Sequence, residues 1–472
     1  MKKYVIRALA TLVHVVTLGQ MKYSRQTEGN ALSMKLGDKV WWAYKFYGHP
    51  VREPEKGKGI REYFKAHPIS GFADKSDKPD GLGSSSPEEQ QPDRVNTPDC
   101  VNTPDHVNTP DHVNTPDQVI ITFGGDILPA EPVCADTMKH FWDEIAEFYF
   151  NADIRYANLE SPVAKGVPLI CAGDDLTKAP HMNNTPEAVS FFTLEGKGVN
   201  VFSTANNHAL DHGVDGLIST LDFLDSLGIP HVGTARSEQE KDNFPVLDVN
   251  GIKLAFLSWT YSLNNQTTPE GQEYLANVLR FNIPNIDISP ITRQVKQARE
   301  RGADVVIACL HWGLENENYP LAHLMDTGHR LAEAGVDIIV GNHPHGPQPA
   351  ERYCYRDANG QEREALIFYA LSDLMSPFPQ EGFSAIGAFA RVKLQKLPSS
   401  QVVIRSAEIR PTYAYRYPNT KEAIDVRTLD FIKVKERLRA GDLTSDPPLG
   451  PFQVKEIRKL IPVQEDVLPV GK

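Results

Sequence analysis

The chain has 472 residues, more than one ordinary domain needs, and 40% of them are hydrophobic, which is enough to bury a substantial core. Its 61 acidic residues outnumber its 49 basic residues, giving a formal net charge of -12. This balance argues against a general nucleic-acid binder, which would present a basic surface. An anionic substrate is still compatible with it, because metal ions in a cleft can reverse the local sign of charge.

The N-terminus has the outline of a signal peptide, with two lysines followed by a largely apolar run over residues 4–18. Arg7 and His14 interrupt this run, no small-residue cleavage site follows Gly19, and a membrane-spanning helix needs roughly 20 apolar residues. We therefore favour a cytoplasmic or peripheral membrane protein, with export as the alternative. Membrane association would use the N-terminal segment around Trp41 and Trp42, although a short helix packed on the main domain is the favoured interpretation of that segment.

Composition divides the chain into four parts. Residues 1–74 form an extension of unknown role, and residues 75–117 are predicted to be a disordered linker rich in Ser, Pro, Gly and Asp. Four copies of Val-Asn-Thr-Pro-Asp with a period of six start at Val95 in this linker, and a proline in every copy argues against a β-solenoid. Residues 118–415 are predicted to be the main domain, followed by a helical tail over residues 416–472.

Apolar runs and helical spacings alternate along the main domain. Strands are predicted at residues 119–123, 154–159, 199–203, 244–249, 252–259, 304–310, 336–340, 366–371, 384–397 and 402–409. Helices are predicted over residues 138–148, 214–224 and 291–301, from residue 320 onward, and over residues 420–439, with a polar, loop-like end to the chain. Asn250-Gly251 indicates a tight hairpin between two strands. The pattern predicts a mixed α/β (α+β) fold built on mixed sheets.

Five of these predicted strands end in residues suited to metal binding. These residues are Asp126, Glu160, the run Asn206-Asn207-His208, His311, and the pair His343 and His345. Open α/β sheets place their sites at the carboxyl ends of strands, so the five clusters should converge. Two carboxylates, an amide oxygen and three imidazoles suit two divalent ions such as Mn, Fe or Zn, and such a pair can activate water as a nucleophile. Taken singly, most of these residues could equally be turn residues, surface charges or buried histidines.

The same residues carry a family resemblance. Gly125-Asp126, Asn158-Leu159-Glu160-Ser161-Pro162, residues 205–211, and Gly341-Asn342-His343-Pro344-His345 with Gln348 and Glu351 resemble the CapA family of capsule and poly-γ-glutamate biosynthesis proteins. That family is similar in fold to the calcineurin-like metallophosphoesterases. The resemblance covers roughly residues 119–375.

The resemblance implies a four-layer αββα sandwich with a dinuclear metal centre. Asp126 would be the first metal aspartate, Glu160 the bridging carboxylate and Asn207 the amide ligand. His311, His343 and His345 would be the imidazole ligands, and His208 would protonate the leaving group. Asp211 is counted with His208 as a catalytic candidate. Asp211 and His212 could form an orienting pair behind the ligands, or Asp211 could be a carboxylate at a helix N-terminus, which is the slightly favoured interpretation. Asn158, Asn206 and Asn264 are expected to contact the substrate.

The sequence departs from the family pattern at two places. The superfamily has a histidine two residues after its first aspartate, and this chain has Leu128 there. The family commonly has Gly-Asn where this chain has Ser372-Asp373. These differences bear on whether both metals bind.

Two functions compete at this point. One is a metal-dependent, phosphoesterase-type hydrolase in anionic polymer biosynthesis, acting on a phosphoester or an anionic polymer. The alternative is a non-catalytic polymer-binding or export component of capsule synthesis that uses the same metal cleft. Either would work beside other capsule-synthesis proteins. A membrane-docked scaffold is a third, weaker hypothesis.

Overall fold

The computed structural model describes residues 59–67, 69, 117–131, 133–134, 136–171, 181–264, 266–376, 382–418 and 423–469. The expectations for the Trp41–Trp42 segment and for the Val-Asn-Thr-Pro-Asp repeats lie outside these residues. Within them, no helix combines the length and the apolar character that crossing a bilayer requires.

The described chain alternates strands and helices. The strands are β1 (Gln118–Ile127), β2 (Ile154–Leu159), β3 (Val201–Ser203), β4 (His231–Val232), β5 (Val246–Val249), β6 (Ile252–Thr260), β7 (Val305–His311), β8 (Ile338–Asn342), β9 (Gln348–Arg356), β10 (Glu362–Ala370), β11 (Asp373–Met375), β12 (Ile386–Lys396), β13 (Val402–Tyr417) and β14 (Asp425–Asp430). The helices are α1 (Ile60–Ala66), α2 (Ala146–Phe150), α3 (Pro186–Thr193), α4 (Gly213–Ser226), α5 (Glu238–Asp242), α6 (Ser289–Glu300), α7 (Ala322–Glu333), α8 (Phe431–Ala440) and α9 (Pro451–Val467).

The strands form two mixed sheets. The first has the order β14-β13-β12-β1-β2-β3-β4, and β11 pairs with β1 beside this path. The second has the order β5-β6-β7-β8-β10-β9. Strands β1 to β4 are parallel, as are β6, β7, β8 and β10, whereas β12 to β14, β5 and β9 pair antiparallel. The carboxyl ends of the parallel strands are therefore the natural place for a site.

The two sheets pack face to face and carry helices on their outer faces. Phe123 on β1 and Phe368 on β10 meet across the interface, with ring centroids 6.3 Å apart. Helices α6 and α7 contact the second sheet. Apolar residues of α3 and α4 join a separate buried cluster on the first sheet, with Phe192, Phe202 and Leu224 among its members. The four-layer αββα sandwich implied by the resemblance is confirmed.

The hairpin turn is confirmed by its backbone. Asn250 and Gly251 have φ angles of 51° and 82°, and they join β5 to β6 in an antiparallel register. The two positive φ angles suit the right-handed twist of a tight hairpin, and asparagine and glycine tolerate them best.

The predicted helix over residues 138–148 is wrong for most of its length. Only Ala146–Phe150 is α-helical, and the residues before it form turns closed by short-range bonds such as Phe141 N–H to the Met138 carbonyl. Met138, Phe141 and Ile145 are nevertheless buried. Successive turns place apolar residues on one side much as a helix does. The spacing of the apolar residues therefore could not distinguish a helix from a series of turns.

The predictions for the end of the chain need two corrections. Residues 425–430, expected to be helical, form strand β14 against β13, and the helix begins only after Asp430, whose carboxylate accepts from the Ile432 and Lys433 N–H groups. The last stretch, expected to be loop-like, forms α9. Its buried Ile457 and Leu460 belong to the main core. The helix has one narrow apolar stripe among charged residues, and the polar composition of the segment masked this stripe in the sequence.

Helix α1 packs on the main domain through a buried carboxylate. Glu351 on β9 accepts hydrogen bonds from the Tyr63 and Tyr369 hydroxyls, both at 2.5 Å, and lies 2.8 Å from His329 Nε2. Burial alone would raise the pKa of Glu351, but the hydrogen bonds and charge of His329, with the tyrosine hydroxyls, lower it below its usual value. This carboxylate therefore ties α1, α7 and β10 together at one point.

Replacing Glu351 by glutamine is expected to lower the free energy of unfolding at pH 7 by about 2–4 kcal/mol, because three donors lose a charged acceptor in a buried place. The Glu351 contribution is present above the unfolded carboxyl pKa of about 4.3 and is lost as the pH falls through its lower folded pKa. Urea unfolding at pH 7 and pH 4 measures both effects. The exposed Glu333, which accepts from Tyr353, gives the control variant Glu333→Gln with a much smaller change. Equal losses in the two variants would contradict this account.

Candidate metal centre

The first acidic side chain of the centre stands at the end of β1. Asp126 is fully buried; its Oδ1 accepts from Asn158 Nδ2 at 2.7 Å, and its Oδ2 accepts from the His343 backbone N–H at 3.0 Å. Burial is the main reason that the pKa of this carboxyl is raised to about 6. The two bonds fix the carboxylate between the ends of β1, β2 and β8.

Glu160, which follows β2, is the second buried carboxylate of the centre. It is fully buried, and neither carboxylate oxygen has a hydrogen-bond partner among the described residues. Its Oε1 lies 3.3 Å from His311 Nε2. Burial and the neighbouring charge of Asp126 raise the pKa of Glu160 well above its usual value. Because an unpaired buried carboxylate is costly, its position points to a cation as its natural partner.

His311 ends β7 and faces both carboxylates. Its Nε2 is also 2.8 Å from Asn207 Oδ1, and its Nδ1 is 4.0 Å from Asp126 Oδ1. Burial, and then the positive charges of His345 and His208, lower the pKa of His311 well below its usual value. The imidazole is therefore neutral at pH 7, which is the form that binds metal ions.

The loop after β8 carries two histidines on a strained backbone. His343 and His345 have φ angles of 99° and 50°, which are uncommon for residues with a side chain. His345 Nδ1 lies 2.7 Å from Asp373 Oδ1. Burial alone would lower the pKa of His345, but the charges of Asp373 and Glu160 outweigh it and raise this pKa well above its usual value. Backbone strain of this kind is concentrated at functional sites.

These side chains form three overlapping groups of possible ligands. The groups are Glu160 with His311 and His343, Glu315 with His343 and His345, and Asp126 with His345 and Asp373, and the ligand atoms within each group lie within 4.8 Å of one another. The structure thus brings the five predicted carboxylate and imidazole residues to one place, with Asn207 beside His311. The donor set of carboxylates and imidazoles fits divalent transition metals.

Sequence reasoning missed Glu315 and Asp373 as candidate ligands. Glu315 follows β7 four residues after His311, and a carboxylate so close behind a candidate ligand was a usable signal. Asp373 opens the three-residue strand β11, whose parallel pairing with β1 sets Asp373 against Asp126. Nothing in the local pattern reveals that pairing.

His208 stands beside the ligand groups with a carboxylate behind it. Its Nδ1 is 2.8 Å from Asp211 Oδ2, and the same oxygen accepts from the Met182 backbone N–H at 2.7 Å. Helix α4 begins only at Gly213, and its cap residue makes no side-chain bond. Of the two alternatives for Asp211, the geometry favours orientation of His208 over a role at the helix terminus.

Two of the three residues expected to contact substrate have other partners. Asn158 is 1% exposed and bridges Asp126 to the Ser203 hydroxyl, which donates to Asn158 Oδ1 at 2.8 Å. Asn206 is fully buried, donates to the Leu159 carbonyl and accepts from the His208 N–H. Both amides are therefore engaged in holding the site together, and their contact with a substrate stays a prediction. Asn264 accepts from Asn207 Nδ2 at 3.2 Å and stays a candidate for substrate contact.

Comparison with known proteins identifies the family. The family model for the bacterial capsule synthesis protein PGA_cap matches residues 120–377, more than half of the chain. The chain belongs to the PGA_cap family of bacterial capsule synthesis proteins. The resemblance drawn from the sequence motifs is confirmed by this match.

Two similar proteins are named for capsule or PGA biosynthesis. The chain is 28% identical over 259 residues to the PGA biosynthesis protein CapA of Bacillus subtilis, covering 54% of this chain and 62% of the relative. It is 25% identical over 265 residues to the capsule biosynthesis protein CapA of Bacillus anthracis, covering 55% and 60%. The chain thus spans about three fifths of the length of these relatives.

One solved structure is also similar. A putative 5'-nucleotidase from Staphylococcus aureus, in complex with alpha-ketoglutarate, aligns with a TM-score of 0.37 at 14% identity, covering 62% of this chain and 54% of that one. This similarity is too low to support a functional assignment.

Ser372, just before Asp373, occupies an unfavourable backbone conformation. Its φ is 67°, and its buried hydroxyl has no partner among the described residues. Ser372→Gly is therefore expected to raise the free energy of unfolding by about 1–2 kcal/mol, since relief of strain and of an unsatisfied hydroxyl exceeds the added chain entropy. Thermal or urea unfolding measures this, with Ser400→Gly as control, because exposed Ser400 has a φ of 68°. A gain no larger than that of the control would contradict the account.

Proposed function

We propose that this chain is a metal-dependent, phosphoesterase-type hydrolase that acts in capsule or poly-γ-glutamate biosynthesis. The family supports the process, and the metal centre supports the chemistry. The observation that carries the proposal is the buried Glu160 carboxylate, which has no hydrogen-bond partner in the part of the chain that the structure describes and whose ligand atom lies within 4.8 Å of those of His311 and His343.

Two divalent ions, of Mn, Fe or Zn, fit the donor set. Glu160, His311 and His343 would hold one ion with the Asn207 amide oxygen close by, and Asp126 and His345 would supply donors to the other. Bound ions of this kind supply Lewis acidity and a nucleophile from water at neutral pH. The candidate ligands Glu160, His311 and His343 are almost completely buried. Orientation of the substrate would therefore fall to neighbouring groups such as Asn264, which is 7% exposed.

His208 is the proposed general acid. Asp211 holds its Nδ1, so the ring presents Nε2 as the atom that gives a proton to the leaving oxygen. Asp211 is buried and would fix the orientation of the ring, as a carboxylate behind a catalytic histidine does. The substrate would be an anionic polymer or a phosphoester, and the partners would be other capsule-synthesis proteins.

The direct test is metal analysis of the purified protein together with a chromogenic phosphodiester assay in added Mn²⁺. We expect bound metal, turnover that requires it, and loss of turnover on chelation with recovery when Mn²⁺ is restored. Metal-free protein, or turnover indifferent to chelation, would contradict the proposal.

A non-catalytic polymer-binding or export component is the second candidate. Leu128 favours it, because this buried aliphatic side chain follows Asp126 closely and offers no ligand atom to the centre. In that case the ions would bind polymer carboxylates without bond cleavage. Bound metal with no turnover on any ester, and metal-dependent retention of poly-γ-glutamate, would establish this function in place of hydrolysis.

Metal affinity is expected to fall as the pH drops through about 6. Burial raises the pKa of Asp126 to about 6, and the charges of Asp373 and Glu160 raise the pKa of His345 well above its usual value, so both groups must lose a proton before they bind an ion. Calorimetric titration with Mn²⁺ at pH 5.5 and pH 7.5, in buffers of different ionisation enthalpy, measures the affinity and the protons released. Equal affinities at the two pH values, without proton release, would contradict this.

A further inference from the structure

We propose that Asp373 is itself a metal ligand in this chain and completes, with Asp126 and His345, the site of one of the two ions. This inference rests on the proposed function, because it assumes that the centre binds divalent ions. It assigns the third donor of that site to β11, at the position where the sequence departs from the family pattern.

The backbone fixes Asp373 against Asp126. The Asp126 N–H donates to the Ser372 carbonyl at 2.9 Å, and the Leu128 N–H donates to the Met375 carbonyl at 3.0 Å, so β11 is bonded to β1 on both sides of the acidic pair. Gly125 permits this approach, since a Cβ there would lie 1.9 Å from the Ser372 oxygen. The proximity of the two carboxylates is thus built into the strand pairing.

The charges around this pair call for a cation. The Asp126 side chain is fully buried and that of Asp373 is 4% exposed, and the fully buried Glu160 carboxylate lies near both. His345 is the imidazole that bonds to Asp373, and it stands among three buried carboxylates. Like charges packed in a buried place are strongly unfavourable without a counter-ion. The unpartnered oxygens of Glu160 give an independent sign that a cation belongs there.

A third donor is needed, and Asp373 is placed to supply it. Transition-metal sites normally use at least three protein ligands, and Leu128, two residues after Asp126, offers no ligand atom. His345 Nδ1 and Asp373 Oδ1 lie 2.7 Å apart, so an ion in place of the proton between them could take both atoms as ligands. The ligand atoms of Asp126, His345 and Asp373 lie within 4.8 Å of one another.

The competing role for Asp373 is to orient His345 without touching the ion. Asp373→Asn separates the two, because its amide oxygen can still accept from His345 Nδ1 while the carboxylate charge is lost. Loss of an orienting partner typically weakens metal binding by about 10–100-fold. A ligand that is charged and buried should cost more than about 100-fold in the dissociation constant of that ion.

The experiment measures Mn²⁺ stoichiometry after dialysis, the dissociation constant of each ion, and the electron paramagnetic resonance signal of coupled Mn²⁺ pairs. The wild-type protein should bind two ions with a coupled signal, whereas Asp373→Asn and Asp373→Ala should both bind one ion with an uncoupled signal. Asp211→Asn is the matched control, because Asp211 is a buried carboxylate bonded to a histidine Nδ1 at 2.8 Å but belongs to none of the three ligand groups. It should keep both ions.

Each other outcome is decisive. Two ions with near-normal affinity in Asp373→Asn would assign Asp373 to orientation and overturn the inference while leaving the proposed function intact. Loss of the ion in Glu315→Gln but not in Asp373→Asn would assign the third donor to Glu315 and also overturn it. Wild-type protein that binds no Mn²⁺ would overturn the proposed function and this inference together, and a single ion in the wild-type protein would overturn the inference alone.

Discussion

Glu160→Gln is expected to change metal binding and stability in opposite directions. The variant should lose at least one of two bound ions and nearly all phosphodiesterase turnover, because Glu160 belongs to the ligand group with His311 and His343. The metal-free variant should nevertheless unfold with a free energy about 1–3 kcal/mol higher at pH 7, because a buried carboxylate without a hydrogen-bond partner is removed. A simple structural role would make both quantities fall.

The pH dependence sharpens this expectation. The folded pKa of Glu160 is raised well above its usual value by burial and by Asp126, so its cost to the metal-free protein grows as the pH rises above the unfolded value of about 4.3. The gain in Glu160→Gln should therefore be larger at pH 7 than at pH 4. Glu351→Gln is the matched control, because Glu351 is as deeply buried but accepts three hydrogen bonds and should lose stability on the same change. A destabilised, metal-replete Glu160→Gln would refute the account.

His208→Ala is expected to lower kcat by about 10²–10⁴-fold while leaving the bound metal unchanged, which is the usual contribution of a general acid. The reason is that Asp211 orients His208 Nδ1, and His208 is a member of none of the three ligand groups. The loss should be greater for an alkyl phosphodiester than for a p-nitrophenyl ester, since the p-nitrophenolate anion leaves without a proton. Asp211→Asn should give a smaller loss of the same kind.

The two controls for this prediction are metal content and leaving-group dependence. Loss of metal in His208→Ala would make His208 a ligand instead of an acid. An equal loss of kcat for both esters, with the metal retained, would indicate a role in substrate binding. Unchanged kcat would remove His208 from the mechanism.

Much of the architecture follows from short-range patterns in the sequence. The hairpin at Asn250-Gly251 is specified by backbone preference alone, and β7 by the unbroken apolar run over residues 305–310. Candidate ligands were predictable where they lie at the carboxyl end of a strand, as Asp126, Glu160 and His311 do. The rule that parallel strands end at one edge brings these side chains together without any further information.

The errors share a physical cause, which is that tertiary pairing is invisible in a local pattern. The contact of Asp373 with the centre depends on β11 meeting β1, and that meeting depends on the missing side chain of Gly125. Whether Asn158 and Asn206 face a substrate or hold neighbouring groups depends on partners distant in the chain. The segment before α2 was wrongly predicted to be helical, and α9 was wrongly predicted to be a loop. In both segments the structure depends on which side chains are buried against the rest of the fold, and local propensity does not reveal this.

The account rests on divalent ions bound in one cleft between the ends of β1, β2, β7 and β8. The most direct measurement is an anomalous difference map from a crystal equilibrated with Mn²⁺, recorded above and below the manganese absorption edge. We expect peaks about 2.0–2.3 Å from ligand atoms of Glu160, His311 and His343, with a second peak beside Asp126 and His345. A map with no anomalous peak in this cleft at saturating Mn²⁺ would contradict the account.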